Sequence, residues 1–428
     1  MGPSESRELA KALFCIVLAL GSLGVFAAVS GRPWETVLLR RSVVAVSVAK
    51  AVLILALYGC LPAAVFGSDA ALYYLPETLR WLSGKIPYRD FRSAYAPLFH
   101  VLLMPGVLFW RNPGSVVATL FSLEIAMIAL YARRFARARP AQTWRVLFLY
   151  CFSPISFYWV AVTGYNSVLV ALFTLIALLL AEARRDGSAG LVAVLGLAFS
   201  KLTMVLAWPA IVFFPRGSAA RRIAPLLALA ALLPALYSAR INLLDDALHG
   251  RYWSSSGNVW FLVSAMLSSV ESGPIRLASM LSLLCGLSIL VAVYLRRDRS
   301  RGGDAFDRAS SFYAACVLVF MLLAYKTYPW YLTMCLIFLL HTLVRSGRSS
   351  VAALIPFALL GSLTTLEPAL SVGLRSAVGE DWLAAVVAVD LVVVACIGYY
   401  AWLCIRIAVS GPSEPLAAEC FGSRLPSG

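Results

Sequence analysis

Apolar stretches of about 18–22 residues recur along this chain, and a helix of that length crosses the hydrocarbon core of a bilayer. Short breaks rich in arginine separate them. Hydrophobic residues make up 61% of the 428 positions and charged residues 13%, which exceeds the apolar content of soluble globular proteins. The chain reads as an all-α polytopic membrane protein of about 11–13 transmembrane helices. Candidate spans fall near 12–29, 42–64, 115–132, 143–163, 166–183, 189–202, 203–215, 223–239, 277–295, 310–325, 330–344, 350–366 and 383–405.

The formal charge of +15 would suit a nucleic-acid binder if it formed one patch. Instead it is divided among Arg40–Arg41, Arg133/Arg134/Arg137/Arg139, Arg184–Arg185, Arg216/Arg221/Arg222, Arg296/Arg297/Arg299/Arg301, Arg345/Arg348 and Arg406. These are the breaks between spans, so the pattern is the positive-inside bias of cytoplasmic loops together with attraction to anionic lipid. Membrane lipid is an expected partner and nucleic acid is not. The nine cysteines are scattered, mostly within apolar runs, and suit small packing residues better than a zinc site or a disulfide framework. The first apolar run has little positive charge before it and reads as an uncleaved helix that leaves the N-terminus outside.

One polar island interrupts this pattern. Phe66 to Leu98 carries Arg80, Lys85, Arg89 and Arg92, three carboxylates (Asp69, Glu77, Asp90) and three prolines. Charge and irregular backbone at this density are costly in hydrocarbon, so the segment reads as a folded loop facing water. The basic clusters place it on the exoplasmic side. Residues 70–83 form an amphipathic helix with Leu72, Leu75, Leu79 and Leu82 near one face and Tyr73, Glu77 and Arg80 elsewhere. Residues 95–110 are apolar, but spanning there would throw Arg133–Arg139 outside, so they are expected to lie on the surface or re-enter. Likewise 189–215 is one long apolar run with Lys201 at its middle, which favours a hairpin of two short helices. The whole chain is one membrane domain, with 66–114 an exoplasmic loop carrying juxtamembrane helices and 408–428 a cytoplasmic tail.

Chemistry is sought first at Asp69, a carboxylate at the membrane boundary, where low dielectric can raise its pKa toward that of a base. An aspartate at this position also serves as a helix cap. Arg89, Arg92 and Lys85 could hold an anionic phosphate or form an ordinary solvated loop. Lys201 is an intramembrane lysine, functional by default unless it snorkels from a helix end. Lys326 lies among Tyr325, Tyr328, Trp330 and Tyr331, which also fit an aromatic belt. His249 and Arg251 occupy a long exoplasmic loop and suit contact with phosphate or sugar. Glu124 and Asp390 are carboxylates within spans whose partners the sequence does not identify.

Gly67-Ser-Asp69, Tyr73, Gly84-Lys-Ile-Pro87-Tyr88-Arg-Asp90-Phe91 and Tyr95-Ala-Pro97-Leu98 follow one another in order. Ser153-Pro154, Gly164-Tyr165-Asn166-Ser167, Gly196-Leu-Ala-Phe-Ser-Lys201, His249-Gly-Arg251 and Lys326 with Trp330-Tyr331 come after them. Across roughly 42–345 this set resembles the GT-C class of integral-membrane glycosyltransferases, above all glycosyltransferase family 87 and the GPI mannosyltransferase I type. The resemblance implies a polyprenyl-phosphate-linked sugar donor, a glycolipid or glycan acceptor, exoplasmic chemistry and an inverting displacement. It implies Asp69 as general base, with Arg89, Arg92, Lys201, His249, Arg251 and Lys326 holding the departing lipid phosphate and Tyr73 and Asn166 near the donor. Asn166 stands where the family often has Asp, and no D-x-D follows Asp69, which argues for a lone base without a metal or other cofactor. Mannose is the expectation drawn from relatives. The competing class is a transporter or flippase of lipid-linked substrates, which should show internal repeats and paired broken helices. No convincing repeat is present. A non-catalytic partner subunit that has kept the fold is a third reading.

Overall fold

The computed structural model describes residues 3–60, 68–93, 95–96, 98–238, 257–266, 272–296, 304–347, 351–372 and 382–410. The protein is an all-α, multi-pass membrane fold. Among the described residues the only β feature is a single bridge between Pro87 and Phe91. Six helices there are long and apolar enough to cross a bilayer: Lys11–Val29, Glu35–Cys60, Pro113–Phe135, Gly273–Arg296, Ala305–Leu323 and Ala384–Val409. A seventh span arises if Pro140–Phe152 and Pro154–Val162, bent by 52°, are taken together. Several further segments expected to span are apolar helices of only 10–17 residues, among them Ser167–Glu182, Asp186–Phe199 and Leu332–Arg345. Apolar content alone does not report length, because proline, serine and glycine break these helices before they reach full span.

Helices that are apolar all round are buried, and those with one lipid-facing side line the rim. In Ala305–Leu323 nearly every side chain is enclosed, and in Leu332–Arg345 every residue from Leu332 to Val344 is. This pair forms the centre. Around it, α1 (Pro3–Val29) packs along Val351–Val372, and Trp382–Ser410 packs along Ala305–Leu323. Val17 and Leu20 of α1, Val44, Val48 and Val52 of α2 (Glu35–Leu55), and Met280 and Leu284 of Ser272–Arg296 point outward as a lipid-facing surface should.

The bundle has two chemically distinct ends. After the polar segment comes α3 (Leu75–Leu82), then α4 (Phe99–Phe109), whose 11 residues rise only about 17 Å and cannot span. The long helix α5 (Pro113–Phe135) starts under the polar segment, with Asn112 Oδ1 capping Gly114 N at 2.7 Å and Asn112 Nδ2 donating to the Tyr58 carbonyl. It ends at Arg133 and Arg134, about 34 Å away. The basic clusters gather at that far end. Arg134 pairs with Glu182, Arg145 with Glu35, and Arg345 and His341 with Asp307. At the other end Lys11 of α1 lies 6.0 Å from the Tyr158 ring.

The remaining elements that matter are α6 (Pro140–Phe152), α7 (Pro154–Val162), α8 (Ser167–Glu182) and α9 (Asp186–Phe199). Then α10 (Trp208–Val212) and α11 (Ala219–Ser238) follow. Residues 186–214 make the hairpin expected from Lys201. Helix α9 climbs from the basic end, breaks at Ser200, and returns through the 3₁₀ turn Leu202–Ala207 into α10. Both feet meet at Arg222 of α11, which is fully buried. It donates to Asp186 at 2.8 Å and to the carbonyls of Ile211, Val212 and Phe214.

Candidate functional site

Asp69 stands at the head of a π-helical turn, Ala70–Tyr74, that runs into α3. Its backbone is already helical (φ −56°, ψ −33°), and its side chain makes no cap hydrogen bond. Ser68 does the capping instead, receiving Ala71 N and Leu72 N on its carbonyl at 3.0 and 2.9 Å. The cap reading of Asp69 therefore fails, and its carboxylate remains available for other work. The wider π turn also sets which tyrosine faces inward. Tyr73, expected near the donor, is 48% exposed, whereas Tyr74 is fully enclosed.

Lys201 comes within electrostatic reach of this carboxylate. Ser200 takes φ −123°, ψ −95°, and Lys201 is extended at the hairpin apex. Leu98 N donates to the Ala198 carbonyl at 3.0 Å, tying the apex to the end of the polar segment. The ammonium lies 5.8 Å from the Tyr95 ring and 5.5 Å from the Tyr331 ring. Burial pushes the Asp69 carboxyl above the usual carboxylate range, and the charge of Lys201 pulls it part of the way back. Burial also raises the phenols of Tyr74, Tyr95 and Tyr165, so all three stay neutral hydroxyls.

Tyr95 is held by a polar node that the sequence did not advertise. Glu77 Oε2 accepts from Ser93 Oγ at 2.6 Å and lies 3.1 Å from His100 Nε2, while Thr78 Oγ1 lies 3.1 Å from His100 Nδ1. All four residues are buried. Glu77, expected away from the leucine face of its helix, is buried and staples α3 to α4.

A further wall comes from the turn after α7. Gly164 has φ +72°, a conformation that favours glycine, and a Cβ there would meet Val117 at 2.7 Å and Ala70 at 3.3 Å. This close approach brings Tyr165 and Asn166 against the Asp69 turn. Tyr165 stacks on Trp330 (4.6 Å, 22°), which stacks on Tyr328 (4.3 Å, 6°). Trp159 closes on Trp330 at 5.0 Å. Asn166 occupies the N-cap position of α8 yet makes no cap bond, and both its amide atoms are buried without a partner. Ser167 Oγ is in the same state. Buried polar groups left unpaired are uncommon and mark a place where a ligand or water would be satisfied.

The structure thus groups Asp69, Lys201 and Asn166 from among the expected residues. Arg89 is exposed and bound to Asp90, which lowers the Asp90 carboxyl to about 2, chiefly through the side-chain hydrogen bond. Arg92 is exposed, and Lys326 is partly exposed on a turn whose contribution to the cluster is Tyr328, Trp330 and Tyr331. His249 and Arg251 lie outside the described residues.

Beneath this cluster, Lys50 and Glu124 form a pair with less than 2% of either residue exposed. Lys50 Nζ donates to Ser156 Oγ at 2.7 Å, and Tyr150 OH donates to Glu124 at 2.9 Å. The pair supplies the partner that Glu124 lacked in the sequence. Lys50, placed centrally in an apolar run like Lys201, was the available signal. Asp390 receives Gly257 N. Chemically, the cluster combines a carboxylate of raised pKa, a neighbouring cation, flat aromatic faces and an unpaired amide. No family model matches the chain, and no curated protein matches it significantly.

Proposed function

We propose that the protein is a membrane-embedded glycosyltransferase that moves a sugar from a polyprenyl-phosphate carrier to an exoplasmic hydroxyl acceptor. The observation that carries this reading is the half-buried Asp69 carboxylate within electrostatic reach of Lys201, whose ammonium lies against the Tyr95 and Tyr331 rings. The acceptor oxygen attacks the anomeric carbon from the face opposite the phosphate and gives its proton to Asp69. The bond from that carbon to the phosphate oxygen breaks, and the electron pair leaves with the lipid phosphate. In this reading Lys201 stabilises that departing charge as a nearby cation. Tyrosine and tryptophan faces suit the C–H face of a sugar, and the Asn166 amide suits its hydroxyls. The arginine clusters at the other end of α5 support an exoplasmic position for the cluster, and the resemblance to the GT-C class supports the donor type, with mannose the first sugar to try.

The test is direct. Purified protein in lipid is given labelled polyprenyl-phosphate mannose, a second labelled polyprenyl-phosphate sugar, and an acceptor extract. Transfer that depends on Asp69 supports the reading, and an Asp69→Asn variant as fast as the parent removes the proposed base. The Lys50–Glu124 pair favours a second reading, because ionisable pairs inside a membrane often mark transport paths. Movement of a labelled lipid-linked sugar across protein-containing vesicles, with no new glycosidic bond, would identify that activity.

A further inference from the structure

At the basic end, far from Asp69, a second site is visible. Arg308 sits in the first turn of Ala305–Leu323 and is 6% exposed. It lines a cleft with Phe213, Pro215, Tyr294 and Leu295, at the junction of the α10 foot and the end of Ser272–Arg296. Its guanidinium lies 5.8 Å from the Tyr294 ring centroid, and Tyr294 is fixed by stacking on Phe312 (3.9 Å, 5°). Arg308 Nε is buried without a hydrogen-bond partner, and Arg308 makes no ion pair among the described residues. The nearby carboxylates are engaged elsewhere. Asp304 lies 3.6 Å from Arg139, and Asp307 binds His341 and Arg345 at 2.8 and 2.7 Å.

A buried guanidinium with an aromatic face on one side and no counter-charge among the described residues is costly as it stands. The cleft is narrow, about 10 Å³, so an anion would sit at its mouth, where it would offset that cost, and arginine matches phosphate oxygens in charge and geometry. We infer that Arg308, at the mouth of this cleft, binds the phosphate group of a phospholipid from the leaflet at the basic end of the bundle. Two observations favour lipid over a soluble anion. Leu295, on the cleft wall, is 38% exposed at the end of a helix whose outer face (Leu284, Ile289, Val293) is lipid-like, offering a track for an acyl chain. Arg216, Arg221 and Arg296 are exposed at the same end and favour an anionic headgroup. The site does not depend on the glycosyltransferase reading.

The experiment uses full-length protein stripped of lipid in neutral detergent, with thermal unfolding followed as phosphatidylglycerol, phosphatidylcholine or inorganic phosphate is titrated in. Phosphatidylglycerol is expected to raise the Tm of the parent most. In Arg308→Gln its apparent affinity should fall about tenfold or more, the worth of one charged hydrogen-bonding contact. The stripped Gln variant should itself unfold no earlier than the stripped parent, since it no longer buries an unpaired charge. Leu295→Trp, which narrows the cleft and keeps the arginine, should lose the same lipid response if the Gln variant is not recovered. Stabilisation of the parent by inorganic phosphate, lost with Arg308, would keep the site and move its ligand to solution. A phosphatidylglycerol response that is the same in parent, Arg308→Gln and Leu295→Trp would overturn the assignment.

Discussion

Lys50 Nζ lies 3.5 Å from both carboxylate oxygens of Glu124, and neither side chain reaches solvent or lipid. The pair joins α2 to α5, and through Ser156 and Tyr150 it reaches the bent α6–α7 segment. It sits two turns below Tyr58, which donates to the Val162 carbonyl at 2.7 Å on the approach to the Asp69 cluster. Removing one member leaves a buried charge uncompensated, so Lys50→Met or Glu124→Leu alone should each cost about 3–5 kcal/mol. The double variant Lys50→Met/Glu124→Leu should recover most of that loss. Thermal unfolding of the four proteins in one detergent checks the cycle.

Asp69→Asn should lower sugar transfer by about 100-fold or more, the usual range for loss of a general base. Folding should survive, because the side chain caps nothing. A steady-state assay beside an unfolding curve separates the two effects.

The proposed base works only when ionised, so activity should fall as pH drops through the raised Asp69 pKa. Lys201 holds that pKa down. Lys201→Met should therefore move the acid limb of the rate profile to higher pH, besides lowering the plateau. A pH–rate profile of the variant that keeps the parent's acid limb would show that the two charges do not communicate.

Arg89→Gln should leave transfer within about twofold of the parent, because an exposed ion pair contributes little. Its partner Asp90 also receives Ile86 N at 2.7 Å and so retains a role in the turn. Initial rates at saturating and limiting donor decide this.

Asn166→Ala should barely change stability, since the amide it removes has no hydrogen bond to lose. If that amide meets the sugar, the variant should raise the KM for donor about tenfold. Gly164→Ala should behave oppositely. It should destabilise by about 1–3 kcal/mol through its positive φ and the contact with Val117. Unfolding curves and donor titrations on both variants give the comparison.

Local signals carried part of this structure. A lysine stranded in an apolar run foretold the hairpin at Lys201, and the shift to charge after the second span foretold the irregular segment with Asp69. Features set by long-range pairing were hidden. Glu77 looks solvent-facing on a helical wheel, and only His100, folded back from α4, turns it inward. The choice of Tyr74 over Tyr73 depends on one extra residue per turn in Ala70–Tyr74, a departure from 3.6 periodicity that no pattern of leucines reports. Lys50 carried the same signal as Lys201, but its depth in the span gave no hint of Glu124, 74 positions later. Span count suffered similarly, because Pro154 divides one apolar run at a 52° bend.

Arg222 and Lys201 occupy opposite ends of one short arm. Helix α9 rises about 21 Å from its pinned foot to its apex, where the backbone bond between Leu98 and Ala198 ties it to the polar segment. Geometry then works as in a crane jib: a small rotation at the root becomes a larger sweep at the tip. The position of the Lys201 ammonium is thus decided in part at the far foot of the hairpin, by a guanidinium that gathers carbonyls of the returning segment.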